Sequence, residues 1–264
     1  MSTEYSSLSR PAVHSVPSTC TIVVPCYNEA ARLDREAFTR FASCYDVDFL
    51  FVDDGSTDFT RQTLYTLRES RPDRIKVLGL PENLGKAEAV RHGLLAASES
   101  KPTYLGFWDA DLATPLDDIL AFKNLLDARP DIEMVFGSRI NLLGRNVQRR
   151  LARHYVGRVF ATAAATVLGV AIYDTQCGAK LFRASPGFLE RLEEPFIGGW
   201  IFDVEIIARE VRARRSSGLP PVSKIIYEYP LMEWRDVPGS KIKPADWVKV
   251  AISLGRIYRK YIWR

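Results

Sequence analysis

Short apolar runs recur along the first half of the chain, and each is closed by a polar turn and followed by a stretch of helical composition. Thr21-Ile22-Val23-Val24-Pro25 ends in Cys26-Tyr27-Asn28-Glu29, and Ala30 to Ser43 then reads as helix. Val47 to Val52 is closed by Asp53-Asp54-Gly55-Ser56-Thr57-Asp58, with a helix to about Glu69. Ile75 to Leu80 runs through Glu82-Asn83-Leu84-Gly85-Lys86 into a helix that ends near Glu99. Tyr104-Leu105-Gly106-Phe107-Trp108 stops at Asp109-Ala110-Asp111. Thr114 as N-cap and Pro115 at the first helical position predict a helix to Ala128. Met134-Val135-Phe136-Gly137 is a fifth apolar run, ending at Ser138-Arg139. Continuous apolar runs of this length suit strands covered on both faces. The alternation predicts an α/β fold with a mainly parallel sheet and helices on both sides.

The second half has a different rhythm. Arg149, Arg150, Arg153 and Arg158 lead into an uncharged run from Val159 to Tyr173. Asp174-Thr175-Gln176-Cys177-Gly178 is a polar turn before Ala179-Lys180-Leu181-Phe182. Gly198-Gly199-Trp200 precedes a helix from about Phe202 to Arg215; Val222 to Tyr229 reads as a strand, and Glu233 to Lys243 as a polar loop. From Trp247 to Arg264, Lys249, Ser253, Arg256 and Lys260 fall at helical spacing, with Trp247, Val250, Leu254, Ile257 and Tyr261 elsewhere. This basic amphipathic helix suits either of two places: packed on the domain with a solvated basic face, or lying in a membrane surface.

The chain of 264 residues, at net charge +4, has the size of one large domain or two small ones, and nothing in that charge calls for a nucleic-acid partner. Cys20, Cys26, Cys44 and Cys177 include no C-x-x-C pair, which points to a reducing compartment rather than a disulfide framework or zinc site. Met1 to Thr19 is rich in Ser and Pro and reads as a disordered tail without a secretory signal. The 15 residues of Val159–Tyr173 fall short of the roughly 20 apolar residues that a membrane span requires.

The candidate chemistry lies where strands end. A sheet of this kind binds ligands beyond the carboxyl ends of its strands. Glu29, Asp53, Asp109, Asp111 and Arg139 all follow such ends. Residues i and i+2 of extended chain point the same way, so Asp109 and Asp111 would sit together and repel unless a cation lay between them. Mg2+ or Mn2+ suits such oxygen ligands alongside phosphates; a solvated acidic turn is the plain alternative. No G-x-G-x-x-G follows the first strand, and Gly85-Lys86 lacks P-loop spacing, which disfavours dinucleotide and P-loop folds.

Taken in order, these blocks resemble family 2 glycosyltransferases of the GT-A fold, and within them the dolichyl-phosphate β-glucosyltransferase group, with polyprenyl-phosphate mannose synthases as near relatives. The matching blocks are Val24 to Glu29, Val52 to Asp58, Asn83 to Lys86, Asp109-Ala110-Asp111, Gly137-Ser138-Arg139, Asp174 to Gly178, Trp200 to Glu205 and Gly239-Ser240-Lys241. The resemblance covers roughly Thr21 to Lys243 and divides the chain into a nucleotide-sugar half over about 20–140, an acceptor half over about 141–243, and a C-terminal helix over 244–264.

The resemblance implies inverting transfer of a sugar, with a lean to UDP-glucose as donor, onto a polyprenyl phosphate. It places a metal, Mg2+ or Mn2+, on Asp109 and Asp111. Pro25, Tyr27, Asn28, Glu29, Asp53, Lys86 and Ala110 would contact the donor. Arg139, Arg150, Gln176, Trp200 and Lys241 would contact the diphosphate or acceptor. Asp203 joins the catalytic set as the candidate base for a hydroxyl acceptor, such as that of a soluble enzyme building polysaccharide or glycolipid; a phosphate acceptor, already anionic near pH 7, needs none. Cys177 reads as a packed small side chain rather than a nucleophile, since no base adjoins it.

Two departures matter. Ala113 stands where the mannose synthases carry a further Gln ligand, which disfavours the mannose branch and leaves the metal more dependent on substrate and water. The resembled eukaryotic glucosyltransferases carry a membrane-spanning N-terminus, and the Ser-rich tail offers none. The expectation is therefore a cytoplasmic enzyme, peripheral at the cytoplasmic face of an anionic membrane.

Overall fold

The computed structural model describes residues 19–148, 151–236 and 246–263. The tail, Arg149, Arg150 and the Gly239-Ser240-Lys241 loop lie outside the described residues. The first half alternates strand and helix: β1 Cys20–Cys26, α1 Arg35–Cys44, β2 Asp48–Asp53, α2 Thr60–Ser70, β3 Ile75–Gly79, α3 Lys86–Ser98, β4 Tyr104–Trp108, α4 Asp117–Ala128 and β5 Met134–Ser138. Then come β6 Asn146–Gln148, α5 Leu151–Leu168, β7 Ala179–Arg183, α6 Pro186–Glu193, α7 Phe202–Ser217, β8 Ile226–Pro230, β9 Glu233–Arg235 and α8 Asp246–Ile257, which continues into a π-helical turn, Tyr258–Ile262.

The main sheet has the order β3-β2-β1-β4-β7-β5-β8, and β6 and β9 form a separate two-stranded ribbon. Within the main sheet β7 runs antiparallel to both neighbours, and the other pairings are parallel. The mainly parallel sheet is as the sequence predicts. The side-chain alternation of a strand divides its apolar residues between two cores. Val23, Leu50, Val52, Phe107 and Phe136 face α3, α5, α7 and α8. Ile22, Val24, Phe49, Phe51, Trp108 and Val135 face α1, α2 and α4.

The segment Ala179–Arg183, which the sequence left without an element, is the wedge between β4 and β5. Its entry depends on Gly106, where a Cβ would run into the Lys180 carbonyl. Lys180 is fully buried on β7, opposite Phe107 and Phe136. Its ammonium is not left unpaired there: it donates to the Cys177 carbonyl at 2.6 Å and meets Asp203 at 2.5 Å.

Several predicted boundaries shift, each for a local reason. The first helix starts at Arg35 rather than Ala30, because Glu29 to Leu33 forms a turn on the Glu29 carbonyl and Asp34 caps the helix through the Ala37 N–H at 2.9 Å. Thr114 is not an N-cap: α4 begins at Asp117, and Thr114 is buried, its carbonyl taking the Trp108 indole N–H at 2.9 Å. Val222–Lys224 is a 3-10 turn, so the strand starts at Ile226. Glu233 to Arg235, expected as loop, pairs with β6. Among the described residues no helix is long and apolar enough to cross a membrane.

The C-terminal helix packs on the domain. Val250, Leu254, Ile257 and Tyr261 are buried in the same core as α3, α5 and α7. The Tyr261 hydroxyl lies 3.0 Å from the fully buried Glu205 carboxylate of α7, which also pairs with Arg209. The opposite side of the helix keeps Val248 and Ile252 more than half exposed.

One buried carboxylate carries a stability prediction. Asp118, in the first turn of α4, is 7% exposed, and its Oδ2 has no hydrogen-bond partner among the described residues. Burial, with the nearby Asp117 charge, raises its pKa to about 6. The folded state thus holds this proton more tightly than the unfolded chain, and ionising it above pH 6 costs stability that is regained as pH falls toward 4. Asp118→Asn is expected to stabilise the fold by about 2 kcal/mol at pH 8, with the advantage fading at pH 4.5. Chemical denaturation at the two pH values checks both parts.

Candidate active site

Because β1, β2, β4 and β5 run in one direction, the turns that follow them share one rim. A cavity of about 1000 Å³ opens there. Pro25, Cys26, Tyr27 and Glu29 line it from β1, Asn83, Gly85 and Lys86 from the start of α3, and Asp109, Ala110 and Asp111 from the end of β4. Arg139 and Gly178 contribute from the β5 and β7 side, and Trp200 and α8 close the far wall.

The aspartate pair is held by backbone and by what flanks it. The Asp109 N–H donates to the Gly178 carbonyl at 2.9 Å, and a Cβ at Gly178 would collide with the Asp109 carboxylate. Only a glycine lets the 174–178 turn lie this close. Asp111 accepts from the Ala113 N–H at 3.1 Å, and Leu112 between them is held at φ 50, a left-handed conformation that branched side chains avoid. Burial, then the neighbouring Asp109 charge, raises the Asp111 pKa; Lys86 and Arg32 oppose that rise.

Lys86 answers the pair directly, with its Nζ 2.5 Å from Asp109. Burial lowers the pKa of this ammonium, but Asp109, Asp203 and Asp111 together hold it above the ordinary value. Its position is set by the second aspartate of the Asp53-Asp54 turn. Asp54 accepts the Leu84 and Gly85 N–H groups at 2.8 and 2.9 Å, and Gly85 enters α3 at φ 88. Asp54 also lines the cavity, a role the sequence reading assigned to its neighbour.

Arg32 and Arg139 on the lining are engaged too. Arg32 pairs with Glu29 at 2.5 Å. Arg139 grips Asp174 through Nε and Nη2, each at 2.7 Å, and stacks over Trp234 at 5.4 Å. Burial lowers the Arg139 pKa, and Asp174 more than reverses this. Asp174 in turn accepts the Arg139 and Gln176 N–H groups, and the Glu228 carboxylate accepts the N–H groups of Tyr173 and Asp174. Removing one partner of such a buried pair costs about 3–5 kcal/mol, so the turn beneath Asp109 is a rigid one.

Of the residues singled out in the sequence, Pro25, Tyr27, Glu29, Lys86, Asp109, Ala110, Asp111, Arg139 and Trp200 come together on this lining. Asn28, Asp53, Gln176 and Asp203 do not line it. Asn28, at φ 55, ties two turns by accepting the Thr57 N–H. Asp53 is fully buried and paired with Arg61 at 2.6 Å. Gln176 donates to Asp203 at 3.3 Å, and Asp203 is engaged with Lys180 beneath the cavity. Burial raises the Asp203 pKa, against the pull of Lys180 and Lys86. Burial also pushes the Cys177 thiol up to about 11, which suits packing rather than nucleophilic work. Arg150 and Lys241 lie outside the described residues.

The cavity also draws in residues that motif reading passed over: Arg32, Asp54, Trp234, Asp236, Lys249 and Arg256. Lys249 and Arg256 carried a signal, the basic stripe of the last helix, but not their direction. Among the described residues no group of three or more His, Cys, Asp or Glu side chains could hold a metal. The site offers two hard oxygen ligands facing an open cavity, a partial set that suits Mg2+ or Mn2+ completed by phosphate and water.

The family model described as glycosyl transferase family 2 matches residues 21–186. The dolichyl-phosphate beta-glucosyltransferase of Saccharomyces cerevisiae is 30% identical over 269 residues, 92% of this chain and 75% of its own. That of Dictyostelium discoideum is 29% identical over 92% of this chain and 76% of its own. Among solved structures, glucosyl-3-phosphoglycerate synthase from Mycobacterium tuberculosis, in complex with Mn2+, UDP-glucose and phosphoglyceric acid, shares the fold with TM-score 0.58 at 17% identity, over 92% of this chain and 80% of that one. The chain belongs to glycosyl transferase family 2.

Proposed function

We propose that this glycosyltransferase moves glucose from a nucleotide diphosphate sugar, UDP-glucose, to a polyprenyl phosphate of the dolichyl type, with inversion at the anomeric carbon. The observation that carries this reading is the Asp109/Asp111 pair, set at the end of β4 on a cavity large enough for a sugar nucleotide. The relatives named for dolichyl phosphate supply the acceptor class. An oxygen of the acceptor phosphate attacks the anomeric carbon, the bond from that carbon to the diphosphate breaks, and the nucleoside diphosphate leaves with the electron pair.

The residues divide this work. Pro25, Tyr27 and Glu29, on the cavity lining, would contact the nucleoside, and Lys86 beside Asp109 would meet the charge that builds on the departing diphosphate. Asp109 and Asp111 would hold Mg2+ or Mn2+, which when bound neutralises the leaving group as a Lewis acid. The mycobacterial synthase of the same fold takes Mn2+ with its sugar nucleotide, which supports that choice. Arg139 is fixed by Asp174, so it supplies one oriented edge of positive charge rather than a mobile clamp.

A specific observation favours a phosphate over a hydroxyl as acceptor. A hydroxyl would need a base on the cavity wall. Asp203, the candidate for that task, lies off the lining and is committed to Lys180. A phosphate monoester is already anionic at neutral pH, with a second pKa of about 6, and needs no proton removed. Peripheral work at a membrane face follows from such an acceptor, in keeping with the basic α8 and the exposed Val248 and Ile252.

Two measurements test this. Incubation with UDP-glucose, GDP-mannose or UDP-N-acetylglucosamine, each with Mn2+ and a short polyprenyl phosphate, should give glucosyl polyprenyl phosphate from UDP-glucose and no glycosylated lipid from the other two, by mass spectrometry. Product from a hydroxyl acceptor and none from the lipid phosphate would sink the reading. Separately, Asp109→Asn and Asp111→Asn should each lower turnover by at least about a hundredfold. Calorimetry should also find that Mn2+ no longer tightens UDP binding in either variant, and retention of that coupling would count against the metal assignment.

A further inference from the structure

The far wall of the cavity is the C-terminal helix, and it brings a second kind of surface to the site. Lys249, Val250, Ile252, Ser253 and Arg256 of α8 all line the cavity. Their spacing of three, four and seven residues puts Lys249, Ile252, Ser253 and Arg256 in one stripe, two turns long. Val250 is buried in the core, so the stripe is anchored from behind.

Charge bookkeeping on the lining singles out one member of this stripe. Arg32, Lys86 and Arg139 are each engaged with a carboxylate, Glu29, Asp109 and Asp174. Arg256 makes no ion pair or side-chain hydrogen bond among the described residues, and it stands exposed at the mouth. A second, shallower groove continues outward from there. It is lined by Ile197, Ile252, Gly255, Arg256, Arg259 and Lys260, and it shares Ile197, Ile252 and Arg256 with the main cavity. The main cavity thus passes, across one arginine, into a groove with an apolar floor and a cationic edge. Gly255 keeps the groove open, since a Cβ there would meet nothing within 4 Å.

We propose that α8 is the acceptor subsite: Lys249 and Arg256 take the phosphate of the polyprenyl phosphate, and its isoprenoid chain leaves along the groove over Ile197, Ile252 and Gly255. This rests on the lipid-phosphate reading of the reaction. The match is of charge and of continuity. A monoester dianion calls for positive charge, which Arg256 offers at the mouth; its guanidinium meets phosphate oxygens with paired donors, and the greasy tail needs an apolar exit that begins where the phosphate is held. Ser253, between the two cations on the same stripe, adds a hydroxyl donor.

The test uses the full chain with geranyl phosphate and dolichyl phosphate in neutral detergent. Arg256→Gln and Lys249→Gln should each weaken geranyl phosphate binding, read by tryptophan fluorescence, and raise the acceptor KM about tenfold or more, with the donor KM unchanged. Gly255→Leu replaces a helical glycine with a better helix former and fills the groove. It should raise the KM for dolichyl phosphate and spare that for geranyl phosphate. Wild-type binding and acceptor KM in both charge variants would overturn the subsite. So would weaker binding to phosphatidylglycerol vesicles with the acceptor KM unchanged, which would give these cations to the bilayer. A wild-type protein that binds geranyl phosphate through Lys249 and Arg256 but transfers no sugar would leave the subsite standing and remove the glucosyl-transfer reading instead.

Discussion

Two carboxylates two residues apart at the end of a buried strand cannot rest there unassisted. Asp109 and Asp111 sit where β4 leaves the sheet, and their mutual repulsion is part of why Asp111 holds its proton above the ordinary range. The surrounding chain answers with cations at graded distance. Lys86 is in contact, Arg32 acts on Asp111 through space, and Lys180 lies one layer below, paired with Asp203. Each cation comes from a different element, which is why so much of the first-half topology converges on this rim.

The antiparallel β7 is the structural consequence of that need. The turn before it must reach Asp109 closely enough for a backbone hydrogen bond, which Gly178 permits, and must be stiff enough to stay there. Stiffness comes from Asp174 between Arg139 and the Gln176 N–H, and from Glu228 beneath both. The strand that follows runs back between β4 and β5, where Gly106 leaves room for it. The buried Lys180 is thus tied to the site by position: it braces Asp203 and the Cys177 carbonyl from within the core.

Much of this was legible in the sequence because the parallel strands are apolar on both faces and end in motif residues. Asp109, Asp111, Glu29 and Arg139 were found by following strand ends, and they meet on one cavity. β7 was not legible, because four residues carrying a lysine give no strand signal; their pairing is long-range and their lysine is neutralised by a residue far along the chain. The Asp53-Asp54 pair shows a subtler limit. A residue pattern cannot say which of two adjacent aspartates faces the cavity. The strand's alternation sends Asp53 to Arg61 and leaves Asp54 to hold the turn before Lys86. Thr114-Pro115 misled for the opposite reason: it has a good capping sequence, but the Trp108 indole claims the Thr114 carbonyl.

The last helix shows how one sequence pattern can serve two alternatives at once. An amphipathic basic helix read in isolation is either a domain-packing element or a membrane-surface one. Here the narrow apolar stripe of Val250, Leu254, Ile257 and Tyr261 is used up in packing on α3, α5 and α7. What remains outward is not a plain solvated face, since Val248 and Ile252 stay exposed among the cations and Ile252 borders the cavity that holds the aspartate pair. A helix fixed to the core by one side can bring the other side against a lipid without moving the aspartate pair. An acceptor with a charged head and a greasy tail would then meet a surface with the same order of properties, cationic at the cavity and apolar beyond it. A small soluble hydroxyl acceptor would leave the apolar part of that surface without a use, and would still want a base that Asp203, held by Lys180, is poorly placed to be.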